Sequence, residues 1–307
     1  MRLMVCVKQV MDVRTPLAVD RRKALVTAPG GAPVINRADI FALEEAMRLK
    51  AKGAGTEVLA LSVGPESANE GLRYCLARGA DLAWRIWDEG IRSEDPYMVA
   101  GIIAQAAKRS GSSLILCGFM SDDSRSAIAP ALTAEKLNWP WINRAVTVTL
   151  EEKSGTLTIL QRGERGSRLE VSCPFPALLA FDSALSGYQY VSIRRREAAE
   201  NRSIQVFNLN NLEGHQDIRG ISSPLRVLKV RLPKPRTKRA LVSSQQLSGE
   251  DMMWQMISGP STKTEKDHLI RGEPVDLARS ILEFLAEKGF PQPSSSPKLD
   301  TREVKGC

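Results

Sequence analysis

The sequence predicts an α/β fold: a parallel sheet flanked by helices, with an added antiparallel strand pair and an extended C-terminal arm ending in a helix. Three observations carry this. Residues 1–150 alternate short apolar runs with amphipathic segments, the pattern of repeated strand–helix–strand units around a buried parallel sheet. From Gly155 to Ala180 the pattern changes to strand following strand, with Gly163 and Gly166 marking a turn. Beyond about Asp182 regular periodicity fades into Pro- and Arg-rich sequence, until VDLARSILEFLAEKGF restores a helical period.

The elements follow in order. LMVCV (Leu3 to Val7), VLALSV (Val58 to Val63), Leu82 to Ile86, LILC (Leu114 to Cys117) and AVTVTL (Ala145 to Leu150) read as strands of a Rossmann-like sheet. Between the first two, ADIFALEEAMRLKAK puts Ile40, Leu43, Ala46 and Met47 on one helical face and Glu44 four residues before Arg48 on another. Asn36, with Asp39 three positions on, fits the start of that helix as a capping variant. Helices over Glu66 to Arg78 and Asp95 to Arg109 complete the crossovers, stopped by Gly79 and Gly111. TLTILQRG and SRLEVSCPFPALLAF supply the antiparallel addition. The Leu277, Ile281, Leu282 and Leu285 face of the last helix is too apolar for water and calls for a docking surface on this chain or a partner. These readings divide the chain into a nucleotide-binding domain at 1–225, an arm and helix at 226–290 and a disordered tail at 291–307.

The 307 residues can bury a full core, and with 43% hydrophobic and 25% charged residues the composition is that of a globular protein. No apolar run reaches the roughly 20 residues of a spanning helix, and the start MRLMVCVKQV is charged too soon for a secretory segment, so a cytoplasmic protein without membrane insertion is expected. Five scattered cysteines without a C-x-x-C pair, and two distant histidines, His215 and His268, give no basis for a disulfide framework or a metal site. The net charge of +8 raises the question of nucleic acid. Much of the excess sits in Arg194-Arg195-Arg196 and in KVRLPKPRTKR (Lys229 to Arg239), which lack interleaved stacking aromatics. A solvated arm, or a surface facing an acidic protein partner, fits that distribution better than RNA, and no nucleic acid is expected.

In an open parallel sheet, ligands gather beyond the carboxyl ends of the strands, where helix N-termini supply N–H donors. Three segments here have that position: Cys6-Val7-Lys8-Gln9, Ser62-Val63-Gly64-Pro65, and the loop from Gly118 to Pro130. The last, GFMSDDSRSAIAP, can cradle a phosphate or hydrogen-bond a ribose, and equally it can do no more than cap the following helix. No G-x-G-x-x-G fingerprint, P-loop or Ser-His-Asp constellation is present. The residues by themselves therefore indicate a nucleotide-binding α/β domain without visible catalytic groups.

Five segments in register decide the rest. VCVKQVMDV resembles a V-x-V-K-x-V opening, INRADIFALEEAMRLK an N-P-x-x-x-x-A-(V/L)-E-E-A-x-R-L-K segment, and SVGPESANEGLRYCLARGAD an S-x-G-P to G-A-D unit. LILCGFMSDDSRSAIAPALTAEKLNWP and CPFPALLAFDSALSGYQYVSIRRREAA continue the series. All five, over residues 1 to about 230, resemble the β subunits of electron-transfer flavoproteins. The resemblance implies a heterodimer with an α subunit that holds FAD, and a second nucleotide in this chain: AMP in the simple carriers, a second FAD in members that bifurcate electrons from NADH. Its cofactor-binding positions would be Cys6, Asn36, Arg37, Ala38, Asp39, Val63, Gly118, Phe119, Met120, Ser121, Asp122, Asp123, Ser124, Arg125, Ser126, Ala127, Ile128 and Ala129. A docking loop for acyl-CoA dehydrogenases or another redox partner would fall at Tyr190, Ile193, Arg194, Arg195 and Arg196, with Ile193 as apolar anchor, the alternative for Ile193 being a strand residue facing the core.

The chain departs from that pattern in two places. Asn36-Arg37 replaces Asn-Pro, and Asp123 to Pro130 lacks the Gln and Gly of the usual Asp-x-Asp-x-x-Gln-x-Gly loop. Arg37 and Arg125 would suit the extra phosphate charge of a diphosphate such as FAD, or else mark a site that has drifted; GISSPLRV (Gly220 to Val227) resembles a stretch found in nitrogen-fixation and bifurcating forms, which leans the expectation toward FAD. The alternative from another class, a nucleotide-sensing or RNA-binding module, requires the basic arm to bind nucleic acid without an α partner.

Overall fold

The computed structural model describes residues 1–12, 14–15, 18–20, 25–27, 31–53, 56–151, 155–182, 190–220, 223–225, 253, 272–287 and 289. In chain order these form β1 (Arg2–Cys6), β2 (Gln9–Met11), β3 (Ala18–Asp20), β4 (Leu25–Thr27), β5 (Pro33–Ile35), α1 (Arg37–Lys52), β6 (Glu57–Val63), α2 (Asn69–Arg78), β7 (Leu82–Ile86), α3 (Pro96–Ser110), β8 (Leu114–Gly118) and α4 (Ala129–Leu137). There follow β9 (Trp141–Glu151), β10 (Thr156–Arg162), β11 (Arg168–Pro174), β12 (Ala177–Phe181), α5 (Ile193–Glu200), β13 (Gln205–Phe207), α6 (His215–Arg219) and α7 (Pro274–Glu287). Contacts divide the chain into two units, Met1–Leu232 and Pro233–Cys307. The basic stretch 229–239 and the tail 291–307 lie outside the described residues, as does most of the arm 226–290.

The first unit is built on a nine-stranded sheet in the order β11-β10-β9-β12-β8-β1-β6-β7-β13. From β9 to β13 neighbours run parallel, and β10 is antiparallel to both β9 and β11. The central strands bury both faces, which is why they read as unbroken apolar runs. Leu3, Val5, Val58, Ala60, Leu114 and Leu116 face α1 and α2, packing with Leu43, Ala46, Leu72 and Cys75. Met4, Leu59, Leu61, Ile115 and Leu178 face the other way, against Met98, Ile102 and Ala134. Each such aliphatic side chain contributes about 1.5–3 kcal/mol by leaving water.

Gly79 and Gly111 end α2 and α3 in the left-handed region, at φ 117° and 65°, as their positions in sequence predict. Three expectations are corrected. SRLEVSCPFPALLAF is two strands, not one: β11 alternates and closes the antiparallel edge, whereas the wholly apolar ALLAF of β12 inserts in parallel between β9 and β8. The region after Asp182 is not irregular throughout, since α5 packs along α2 and β13 extends the sheet beside β7 with Phe207 against Trp84, ring centroids 4.8 Å apart. The third concerns α1, where Glu44 does not pair with Arg48.

Glu44 instead reaches across to Arg78 of α2 in a buried ion pair, with the Arg78 guanidinium 4.7 Å above the Tyr74 ring. Arg48 pairs with Glu45 at 2.7 Å and donates to Thr147 Oγ1 of β9 at 3.1 Å. Both carboxylates are buried, and each is met by a long cation: Arg78 of α2 for Glu44, and Arg48, one turn on in α1, for Glu45. In the second unit, α7 leaves Val275, Ile281, Leu282 and Phe284 exposed.

Removing one partner strands the other charge, so Glu44→Ala is expected to lower unfolding stability by about 3–5 kcal/mol, and the double variant Glu44→Leu/Arg78→Met to recover most of it. Urea titration of both variants checks this. A loss below about 0.5 kcal/mol for Glu44→Ala would mean that the pair is solvated.

Candidate functional site

The sheet order places β1 and β8 side by side while their outgoing connections lead to opposite flanks, so a crevice opens beyond their C-terminal ends. At that point the chain must find partners for N–H groups that have left the ladder. Asp39, in the first turn of α1, supplies them: Lys8 N donates to its Oδ2 at 2.7 Å and Gly118 N to its Oδ1 at 2.8 Å. Asn36, one residue before α1, donates its N–H to Lys8 O at 2.9 Å. Its side chain does not cap the helix. It reaches outward, donating to Met120 O and accepting from Asp122 N, each at 3.1 Å, and so stands in for a strand neighbour to the departing loop.

The loop after β8 is held at two further points. Phe119 N donates to Phe181 O at 2.7 Å, and Lys8 Nζ lies between the two carboxylate oxygens of Asp123, at 2.9 and 2.8 Å. Ser121 and Ser124 share a hydroxyl hydrogen bond of 2.9 Å, and Arg125 N donates to Ser121 O at 3.0 Å. Arg125 and Ala127 take φ values of 50° and 53°. A left-handed residue followed by the right-handed Ile128 (φ −95°, ψ −37°) turns successive N–H groups to one side, the concavity that binds anions. No side chain caps α4, and Pro130 occupies its first turn.

Around these residues lies a half-open cavity with about 940 Å³ of empty space, part of it shared with solvent. Its rim carries Lys8, Asn36, Asp39, Ser121, Ser124 and Ser126; its floor is apolar, from Leu61, Val63, Val99, Ile103, Ile115 and Leu178. Of the predicted positions, Cys6, Asn36, Asp39, Val63, Gly118, Phe119, Met120, Ser121, Ser124, Ser126, Ala127, Ile128 and Ala129 line it. Arg37, Ala38, Asp122, Asp123 and Arg125 do not: Arg37 is exposed beside Phe41, Ala38 lies behind Gly118, and Asp123 is engaged with Lys8. Sequence reasoning missed the far wall, where Ser93, Glu94 and Pro96 lead into α3 and Thr133 looks in from α4. A signal for it exists in Asp95-Pro96, a cap followed by a first-turn proline just after a strand; the Asp95 carboxylate accepts from Tyr97 N at 3.0 Å.

Burial drives the titration of this site. It pushes the Asp39 carboxyl up from its usual 3.8 to about 6, against the pull of the Lys8 and Gly118 N–H groups and the Asn36 amide. Half-burial alone would also raise Asp123, but the Lys8 ammonium, the Ser121 hydroxyl and the Ser124 N–H outweigh it and hold that carboxyl below its ordinary value. Burial, reinforced by the nearby Asp39 charge, pushes the Cys6 and Cys117 thiols well up, which keeps them neutral. Among the described residues no group of His, Cys, Asp and Glu could hold a metal ion, and no helix is long and apolar enough to cross a membrane.

The predicted docking residues stand elsewhere. Ile193 opens α5 and is 69% exposed rather than a strand residue facing the core, and Tyr190 is 83% exposed. Ser192 caps the helix, its Oγ accepting from Arg195 N at 3.4 Å. Arg73 of α2 donates to Ala199 O at 3.2 Å and Glu200 O at 2.6 Å, fixing α5 so that Arg194, Arg195 and Arg196 face outward. Residues 183–189, between β12 and this helix, lie outside the described residues.

A parallel sheet with an antiparallel flank, a crevice at its switch point and an exposed Arg-rich helix beyond β12 form the setting for one comparison. The electron transfer flavoprotein domain matches residues 25–210. The chain belongs to the electron transfer flavoprotein family. It is 32% identical over 204 residues to the electron transfer flavoprotein subunit beta of Methylophilus methylotrophus, covering 65% of this chain and 76% of that one. The human subunit beta is 29% identical over 239 residues, 77% of this chain and 91% of its own. Subunit CarD of the caffeyl-CoA reductase-Etf complex of Acetobacterium woodii is 28% identical over 219 residues, 71% and 80% of the two chains. The similarity thus extends to proteins named as electron transfer flavoprotein subunits beta and to a subunit of a caffeyl-CoA reductase-Etf complex.

Two expectations follow from the geometry. A Cβ on Gly118 would lie 2.3 Å from Asp39 Oδ1 and 2.7 Å from Ala38 Cβ, so Gly118→Ala is expected to cost about 1–3 kcal/mol in thermal or urea unfolding. The Asp39 carboxyl binds its proton at about 6 when folded and at 3.8 ordinarily. Between those values the folded chain holds more protons than the unfolded one, so this group's contribution to stability falls as pH rises from about 4 to about 6. Asp39→Asn is expected to abolish that slope and, near neutral pH, to cost about 1–3 kcal/mol, because an amide NH₂ then faces one of the two N–H donors. Urea midpoints across this range test both statements, and an unchanged slope in the variant would assign the titration to another group.

Proposed function

We propose that this chain is the β subunit of a heterodimeric electron transfer flavoprotein, shuttling electrons through FAD held mainly by its α subunit between dehydrogenases and an acceptor. The observation that carries this reading is the crevice itself, which joins an apolar floor to a rim of hydroxyl, amide and backbone N–H groups. The residues fit a nucleotide. Cys6, Asn36, Asp39, Val63 and the loop Gly118 to Ala129 would hold it, the ribose toward Asn36 and the serines, the phosphate toward Ser126, Ala127, Ile128 and Ala129. When bound, flavin would accept electrons from one partner and pass them to another.

In this reading the chain contributes shielding and docking. Residues 226–290 form the arm that lies on the α subunit, and Tyr190, Ile193 and Arg194 to Arg196 meet an acyl-CoA dehydrogenase-type partner, the exposed aliphatic side chain giving the anchor and the arginines the steering charge. AMP is the nucleotide we favour for the crevice, since neither Arg37 nor Arg125 lines it to meet a second phosphate. A second reading, with FAD in this chain and NADH as electron source, draws on the similarity to a subunit of a reductase complex.

Co-expressed with its α subunit, the chain is expected to purify as a yellow heterodimer that carries one FAD and releases AMP on denaturation. Two flavins with NADH oxidation would transfer the assignment to the second reading, and a colourless chain that binds RNA in a salt-sensitive manner would sink both. In that heterodimer Ile193→Ala is expected to slow flavin reduction by the dehydrogenase on the order of tenfold or more, with the flavin spectrum unchanged. Stopped-flow absorbance measures this, and a normal rate would remove Ile193 from the docking surface.

A further inference from the structure

We propose that Lys8 reads the phosphate charge of the bound nucleotide and that Asp123 is the positioning residue that holds its ammonium at the rim. This rests on the nucleotide reading of the crevice. Among the described residues that line the cavity, Lys8 is the one cation, while Asp39 and Glu94 bring carboxylates. A phosphate entering there would meet negative charge of its own sign, and the backbone N–H groups of the loop supply only partial dipoles against it.

Lys8 is built for that task by its surroundings. Its backbone is pinned on both sides, the N–H to Asp39 and the carbonyl by Asn36 N, so the side chain starts from a fixed point at the strand end. The ammonium donates to Asp123 Oδ1 at 2.9 Å and lies 2.8 Å from Oδ2, so Asp123 fixes its place while N–H donors remain for a phosphate oxygen. Asp123 is itself held by Ser124 N at 2.6 Å and does not line the cavity, so its charge stays behind the lysine rather than facing the ligand. The side chain of Lys8 remains 37% exposed, enough freedom to shift toward an anion without unmaking the fold. An ion pair that served only to close the loop would need no cation among the lining residues, and Asn36 already ties that loop to the start of α1 through Met120 and Asp122.

Isothermal titration of the nucleotide-free full chain with AMP and with adenosine separates charge reading from loop closure. Lys8→Met is expected to weaken AMP on the order of tenfold to a hundredfold, the range of a charge-assisted hydrogen bond, and adenosine by less than about twofold. Lys8→Arg is expected to restore most of the AMP affinity, and Asp123→Asn, which releases the ammonium from its place at the rim, to weaken AMP binding while leaving adenosine unchanged; AMP bound as tightly or more tightly in Asp123→Asn would remove Asp123 as the positioning residue. Equal losses for AMP and adenosine in Lys8→Met, or AMP affinity unchanged in that variant, would overturn the assignment while leaving the crevice a nucleotide site. A wild-type chain that binds neither AMP nor FAD would take down the nucleotide reading and this assignment with it.

Discussion

The carboxylate of Asp39 sits where β1 and β8 separate, and the N–H groups of Lys8 and Gly118 converge on it. A parallel sheet cannot open a crevice without breaking its own ladder, because adjacent backbones stop pairing at the point where their connections diverge. Something must then accept the released N–H groups in a place too buried for water to do so. A carboxylate is suited to this because it offers two oxygens in one plane and donates nothing when ionised. Its burial is costly, as the rise of its pKa to about 6 attests. The close approach it demands leaves no room for a side chain at position 118, and so the strand ends in glycine. Cavity, loop origin and helix start all take their positions from this one contact.

The periodicity that makes the sheet legible in the sequence reports burial, and it succeeded where burial is simple. Leu82 to Ile86 is a strand within the predicted bounds, and α1 to α3 lie where the 3.6-residue pattern puts them. It failed where partners are distant in sequence. Nothing local to Glu44 says that its cation is Arg78, and nothing local to Asn36 says that its amide serves residues 84 and 86 positions away. ALLAF and the alternating RLEVSCP are continuous in the sequence, and only their different patterning separates a strand buried on both faces from one at an open edge. β13 is three residues long and amphipathic periods cannot register in so short a span. The crevice was legible on the side made by post-strand loops, because ligand sites recur there for topological reasons. Its wall from α3 was not, because Val99 and Ile103 read as ordinary core residues until the opposite side is known to be open.

The division between the two ends of the chain has a physical logic. A nucleotide site would need rigidity, and the crevice offers it, built on strand termini and helix starts whose backbones are fixed by hydrogen bonds. A docking surface for transient partners would need exposure and charge, and α5 offers both, a short helix attached to the outside of α2 through Arg73 and the buried Ala199. Neither requires a nucleophile or a general base, which accords with the neutral thiols of Cys6 and Cys117 in the cavity wall.

The loop that departs from the usual pattern shows how far side chains can change before such a site loses its purpose. Arg125 and Ala127 hold left-handed backbone angles without the relief that glycine would bring, at about 1–2 kcal/mol each. Strain of that size persists only where neighbouring contacts over-determine the conformation. Here they do: Asn36 fixes Met120 and Asp122, Lys8 fixes Asp123, and Ser121 closes on Ser124 and Arg125 before the strained residues are reached. The loss of Gln and Gly therefore removes side-chain contacts and conformational ease but leaves the N–H concavity standing at the start of α4. With fewer polar side chains in the loop to meet an anion, a formal charge at the rim would carry more of the recognition, and among the described lining residues that cation is Lys8, just beyond β1.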